Sequence, residues 1–187
     1  MANKHETNKL NTPKTPNTRY QIFISYRRHG GEDPARQIQL SLENSGYHVF
    51  LDYDNLHNGN FEEEIKNAIA EASVFLLIMT TGCFDRCVGN PQDWIVKEVM
   101  CAVENNKEII PVNVNRQHSG MPNGMDDDLV SIITKHTFQE IFTGQPFKAT
   151  MAEMIETRIV PIIGGSSKSD ITQVTFFAEE SVHLWVD

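Results

Sequence analysis

The chain has 187 residues, 40% of them hydrophobic and 22% charged, which is material for one ordinary domain with a sizeable core plus tails. Its net charge of −9 is unevenly spread: residues 1–19 carry Lys4, Lys9, Lys14 and Arg19 against Glu6, hence +3, leaving −12 on the remainder. A body that acidic repels a phosphate backbone and argues against nucleic acid as a partner, while the longest apolar run, Val74 to Met79, is far too short to span a membrane. The N-terminus shows no apolar signal segment. Cys83, Cys87 and Cys101 make an odd number with no disulfide-framework spacing, and no nearby His or Cys pair completes a metal site. The expected compartment is a reducing cytoplasm, and no metal is expected.

Residues 1–19, rich in Asn, Thr, Lys and Pro, read as a disordered tail. Gln21 to Tyr26 reads as a short buried strand that breaks at Arg27-Arg28-His29-Gly30-Gly31. Asp33-Pro34 then predicts a cap and first-turn proline for a helix whose inward face is Ala35, Ile38 and Leu42. Tyr47 to Leu51 is a second strand, followed by the polar loop Asp52 to Asn60. Phe61, Ile65, Ala68, Ile69 and Ala72 give a helical stripe, with Glu62, Glu63 and Glu64 in the first turn where acids suit the helix dipole. Ser73 to Thr80 is the continuous apolar run of a central strand. The next helix is read with Pro91 in its first turn and Ile95, Val99, Ala102 and Val103 as its stripe. Glu108 to Val114 is a fourth strand with Pro111 at an irregular position, and after a Gly/Asp-rich stretch Thr137 to Phe142 is a fifth. Phe147, Met151, Met154, Ile155 and Ile159 mark a closing helix, Gly164 to Ser167 a linker, and residues 171–187 an appended segment or the start of something longer. Strands alternating with helices predict an α/β fold with an open parallel five-stranded sheet and helices on both faces.

In such sheets ligands sit beyond the carboxyl ends of the strands, where strand order reverses. The loop after the first strand, the 52–60 loop and the 81–93 stretch converge there. Arg27 and Arg28 with two glycines point to an anion site, although an arginine pair at a solvated edge reads the same way. Trp94 and Glu98 lie one helical turn apart and flank the apolar stripe, so both project from one surface. An indole and a carboxylate so placed suit a flat or sugar-like ligand, with the ring stacking and the carboxylate gripping hydroxyls or a developing cation. The plainer alternative is a solvated acid beside a core anchor.

Three segments together resemble a Toll/interleukin-1 receptor (TIR) domain of bacterial type: FISYRRHGGEDPAR after the first strand, GYHVFLDYDNLHNGNFEEEI across the second, and WIVKE on the later helix. The resemblance covers Tyr20 to Ile163 and divides the chain into a tail (1–19), the TIR domain (20–163) and a C-terminal segment (164–187). It implies a flavodoxin-like fold with the second strand at the edge. It also implies an NAD+ nucleosidase that cleaves the nicotinamide–ribose bond to give ADP-ribose or a cyclic isomer, in bacterial anti-phage signalling or as an effector. NAD+ is then substrate, and no cofactor is implied. The family's catalytic acid falls on Glu98 and its aromatic partner on Trp94, while Tyr26, Arg27 and Arg28 fall on the nucleotide-binding side. The loop 52–60 matches the segment through which such domains self-associate with other TIR protomers. An upstream sensor or downstream effector protein is a further implied partner, and a membrane is not. Where plant members carry Ser two residues before the Trp, this chain has Gln92; where they have Gly, it has Arg28. The competing class is a non-catalytic TIR adaptor. A phosphoacceptor receiver domain fails locally, because its acidic pair should follow the first strand, where this chain has Tyr26-Arg27-Arg28.

Overall fold

The computed structural model describes residues 19–51 and 61–164. Five parallel strands run β1 (Ile22–Tyr26), β2 (Val49–Leu51), β3 (Val74–Met79), β4 (Glu108–Val114) and β5 (Gln139–Ile141), in the order β2-β1-β3-β4-β5. Helices α1 (Arg28–Asn44), α2 (Phe61–Glu71), α3 (Trp94–Glu104), α4 (Asp127–Thr134), α5 (Phe147–Met154) and α6 (Val160–Ile163) fill the connections. The expected α/β architecture is therefore observed, with β2 at the edge and the strand order reversing between β1 and β3.

Strand alternation sorts the core into two layers. Phe23, Phe75 and Leu77 face α2, α3 and α4, meeting Ile65, Ile69, Val99, Leu129 and Ile133. Phe23 stacks between Phe50 and Phe75 at 5.3 and 5.4 Å, rings nearly parallel. Ile22, Ile24, Leu76 and Ile78 face the other way, onto Ala35, Ile38 and Leu42 of α1 and Met151 and Met154 of α5. All six residues of β3 are buried, as a strand with neighbours on both sides and helices on both faces requires. Pro111 lies inside β4, paired with Leu77, but the β5 ladder starts only at Val112. The missing N–H at Pro111 therefore falls where one side of β4 has no strand to bond.

Three local readings are corrected. Helix α1 starts at Arg28 rather than at Asp33-Pro34; it passes through a non-helical turn at His29 and Gly30 (φ +80°, a value that suits glycine) before continuing through Pro34. Pro91 lies outside α3, which begins at Trp94 because the Asp93 side chain caps it, accepting from the Ile95 N–H at 3.1 Å. The Gly/Asp-rich stretch between β4 and β5, to which the sequence assigned no element, contains α4, capped by Asp126 through the Leu129 N–H at 3.0 Å. The closing helix forms as a run of α5, a π-helical turn (Ile155–Ile159) and α6, with Pro161 in the first turn of α6. The tail 1–18, the loop 52–60 and the segment 165–187 lie outside the described residues. Among the described helices, none is long and apolar enough to cross a membrane.

Candidate functional site

Beyond the carboxyl end of β1, beside the reversal point, opens a cavity of about 320 Å³. All five residues singled out from the sequence line it: Tyr26, Arg27, Arg28, Trp94 and Glu98. So do His29, Phe61, Arg86 and Ile95, which the sequence reading did not assign to a site. A larger depression of about 630 Å³ lies at the amino end of the sheet, against Arg19, Tyr20, Glu63, Glu64 and Glu71. Three carboxylates against one guanidinium make that surface a poor host for an anion, so size does not decide between the two.

Trp94, the first residue of α3, keeps 38% of its surface exposed at the rim. Phe61 meets its ring edge-on at 5.4 Å, and the Lys97 ammonium lies 5.0 Å from its centroid. The indole is thus a wall and not a core anchor. Glu98, one turn on, is only 8% exposed and yet faces the cavity. It is not the solvated acid of the plainer alternative. A carboxylate buried this deeply needs partners. One is Ser25, whose hydroxyl donates to Glu98 Oε2 at 2.5 Å.

Asp93, with 1% of its side chain exposed, is the second buried carboxylate, and Arg27 answers it. Nη2 and Nη1 of Arg27 donate to Asp93 Oδ1 and Oδ2 at 2.7 and 3.0 Å, and Nε donates to the Cys83 carbonyl at 3.0 Å. Burial by itself would raise the Asp93 carboxyl, but the guanidinium, the Cys87 thiol and the Ile95 N–H outweigh it and hold the group below its ordinary range. Burial likewise works to lower Arg27, and Asp93 overrides it so that the guanidinium is held more firmly charged. The same burial pushes Cys83 up to about 11 and Cys87 to about 12, which leaves both thiols protonated at neutral pH.

Arg27 therefore lines the cavity with its charge already matched. Cationic character at the opening comes from exposed Arg28 and from Arg86, whose Nε is 3.9 Å from Asp93 Oδ2 and whose side chain is 73% exposed. A cavity of this kind can stack a planar ring on Trp94, set anionic oxygens against Arg28 and Arg86, and present a carboxylate to a sugar. Ser25 and Asp93 left weak traces in the sequence: a hydroxyl inside an apolar strand, and an acid directly before the first helical residue.

Comparison with known proteins agrees with this fold. Residues 22–135 match the family model described as TIR domain. The chain is 32% identical over 136 residues to NAD(+) hydrolase SARM1 of Danio rerio, covering 68% of this chain and 18% of that protein. It is 41% identical over 93 residues to NAD(+) hydrolase tir-1 of Caenorhabditis elegans, covering 49% and 10%. The chain thus spans less than a fifth of either curated relative. Among solved structures, the TIR domains of the activated Roq1 resistosome superpose with a TM-score of 0.52 at 15% identity, covering 73% of this chain and 98% of that one. A metazoan TIR-STING receptor from C. gigas superposes with a TM-score of 0.50 at 21% identity, covering 71% and 38%. The family match spans more than half of the chain and includes β1, the Arg27–Asp93 pair and the Trp94/Glu98 helix: this chain belongs to the TIR domain family.

Proposed function

We propose that this domain cleaves NAD+ between nicotinamide and ribose. The observation that carries the reading is Glu98, a nearly buried carboxylate aimed into a cavity whose rim is an indole one helical turn away. The names of the two animal relatives, both NAD(+) hydrolases, support the same substrate. In the reaction the bond from ribose C1′ to nicotinamide N1 breaks, and its electron pair returns to the pyridinium nitrogen, which leaves neutral. No acid is required to protonate the leaving group. C1′ acquires oxocarbenium character, as in other glycosyl cleavages, and anionic Glu98 stabilises that charge and orients the ribose hydroxyls. Trp94, buttressed by Phe61, stacks on the ring and limits water. Arg28 and Arg86 take the diphosphate. Attack of water at C1′, with loss of a proton to solvent, gives ADP-ribose; attack by a nucleophile of the same molecule gives a cyclic isomer.

Self-association through residues 52–60 is part of the proposal, since α2 and its cavity residue Phe61 follow that loop directly. So are the cytoplasmic setting and the role in bacterial defence signalling implied by the resemblance. The test is chromatography of products after incubating the full chain with NAD+, alone and with a crowding agent. Release of nicotinamide is the expected result; intact NAD+ under both conditions returns the domain to the adaptor reading.

A further inference from the structure

We infer that Ser25 is a positioning residue for Glu98: it fixes the carboxylate's rotamer and favours its ionised form without touching substrate. The inference rests on the NAD+-cleaving reading and deepens it.

Strand β1 alternates, so Ser25 shares its face with Phe23, the face that packs on α2 and α3. Its hydrophobic members are aromatic, aliphatic or sulfur-bearing side chains, and Ser25 is 1% exposed on that face. A hydroxyl costs stability in such a place unless it is hydrogen-bonded. Its partner is Glu98 Oε2, 73 residues away, at 2.5 Å, the short separation of a hydroxyl donating to a carboxylate. Ser25 is absent from the cavity lining, whereas Glu98 is part of it. The serine thus stands behind the carboxylate. Holding one oxygen sets the plane of the group and the direction in which the other points. A donor aimed at a carboxylate also stabilises its charged form over its protonated one.

Other charges surround Glu98, and they delimit what Ser25 adds. On the cavity side these are Arg27, Arg28 and His29 from the end of β1 and the start of α1, Arg86 from the 3-10 turn (Asp85–Cys87), and the Tyr26 phenol. On the helix side they are Glu62 and Lys66 of α2 and Lys97 and Cys101 of α3, with Asp93 at the cap. Glu62 is itself paired, to Lys66 at 2.8 Å and Lys97 at 3.7 Å. None of these changes when only the serine hydroxyl is removed. The difference between wild type and Ser25→Ala therefore isolates that hydroxyl.

The experiment compares nicotinamide release by wild type, Ser25→Ala and Ser25→Thr across pH, with melting curves for each and for Glu98→Gln with and without Ser25→Ala. Ser25→Ala should lower kcat about tenfold or more while KM stays within about twofold, and move the acid limb of the rate profile up by about one to two pH units, the worth of a hydrogen bond to a charged group. Ser25→Thr keeps a hydroxyl on a strand-compatible residue and should restore the acid limb and most of kcat. The melting cost of Ser25→Ala should shrink in the Glu98→Gln background, as coupling of the pair requires. An active wild type whose pH profile superimposes on that of a folded Ser25→Ala protein overturns this inference alone. Should Ser25→Ala fail to fold, Ser25→Thr decides: its acid limb must coincide with that of the wild type, and a displaced limb overturns the inference. A wild type that releases no nicotinamide overturns the proposed function, and the role of Ser25 falls with it.

Discussion

Arg27 and Asp93 form a two-toothed ion pair, at 2.7 and 3.0 Å, between the end of β1 and the cap of α3. Two residues earlier, inside β1, Ser25 holds Glu98 on α3. Arg27 follows the last residue of the strand with extended backbone (φ −85°, ψ 121°), so the alternation of β1 carries on to it and the two side chains point the same way. Both buried carboxylates among the described residues are therefore tied to β1 and the residue that follows it, and the start of α3 is fixed at two points.

The pair predicts a division between arginines. Arg27→Ala leaves Asp93 buried without its counter-charge and should lower unfolding stability by about 3–5 kcal/mol in urea titration. Loss of activity in this variant should follow loss of folded protein. A stable Arg27→Ala protein with weakened NAD+ binding would instead assign Arg27 to the substrate.

The same pair sets an acid limit. Asp93 is held below its ordinary value of 3.8, so between the folded and unfolded values the unfolded chain binds more protons. The stabilisation from Asp93 is fully present above pH ~4 and is lost as pH falls through the lower folded value. Melting temperature measured from pH 2 to 6 should fall more steeply in wild type than in Asp93→Asn. Parallel curves would show that other carboxylates govern acid unfolding.

Arg28 behaves differently, because it is exposed and its loss strands no buried partner. Arg28→Ala should raise KM for NAD+ about tenfold or more, the value of a charged hydrogen bond, with a smaller effect on kcat and an unchanged melting temperature. Steady-state kinetics with NAD+ as the varied substrate checks this.

Glu98→Gln swaps a charge for a neutral isostere of the same shape. Nicotinamide release should drop by about 10²–10³, and the melting curve should show a folded protein. Equal turnover by the two proteins would remove Glu98 from the reaction.

Assembly gives a further kinetic expectation. If protomers complete one another's sites through residues 52–60, specific activity should rise more than linearly with protein concentration, and Asp54→Lys should flatten the curve. Strict proportionality across the monomer-to-oligomer range, followed by light scattering, would mean that the lone domain is already competent.

Much of this was legible in the residues. The apolar run Val74 to Met79 and the segment Glu108 to Val114 read directly as β3 and β4, because a continuous buried strand has few other readings at that length. Trp94 and Glu98 could be placed on one surface because helical spacing is local. Helix α4 was missed because it is eight residues long, with Leu129 and Ile133 its only buried side chains, too short a stripe to stand out from the Asp-rich sequence before it. Pro91 looked like a helix start until the Asp93 carboxylate, bonded to the Ile95 N–H, proved the stronger signal. The roles of Ser25 and Asp93 were out of reach for another reason: their partners are 73 and 66 residues distant, and only the fold makes them neighbours.

The indole at the rim also makes the molecule its own optical probe. The chain holds two tryptophans, Trp94 and Trp185, and the second lies outside the described residues. In a Trp185→Phe protein all indole emission would come from the cavity wall, where an ammonium and a phenyl edge already shape its surroundings. A nicotinamide ring stacking there would quench that emission, so that occupancy of the site could be followed in real time, in Glu98→Gln protein, before its slowed turnover depletes the substrate.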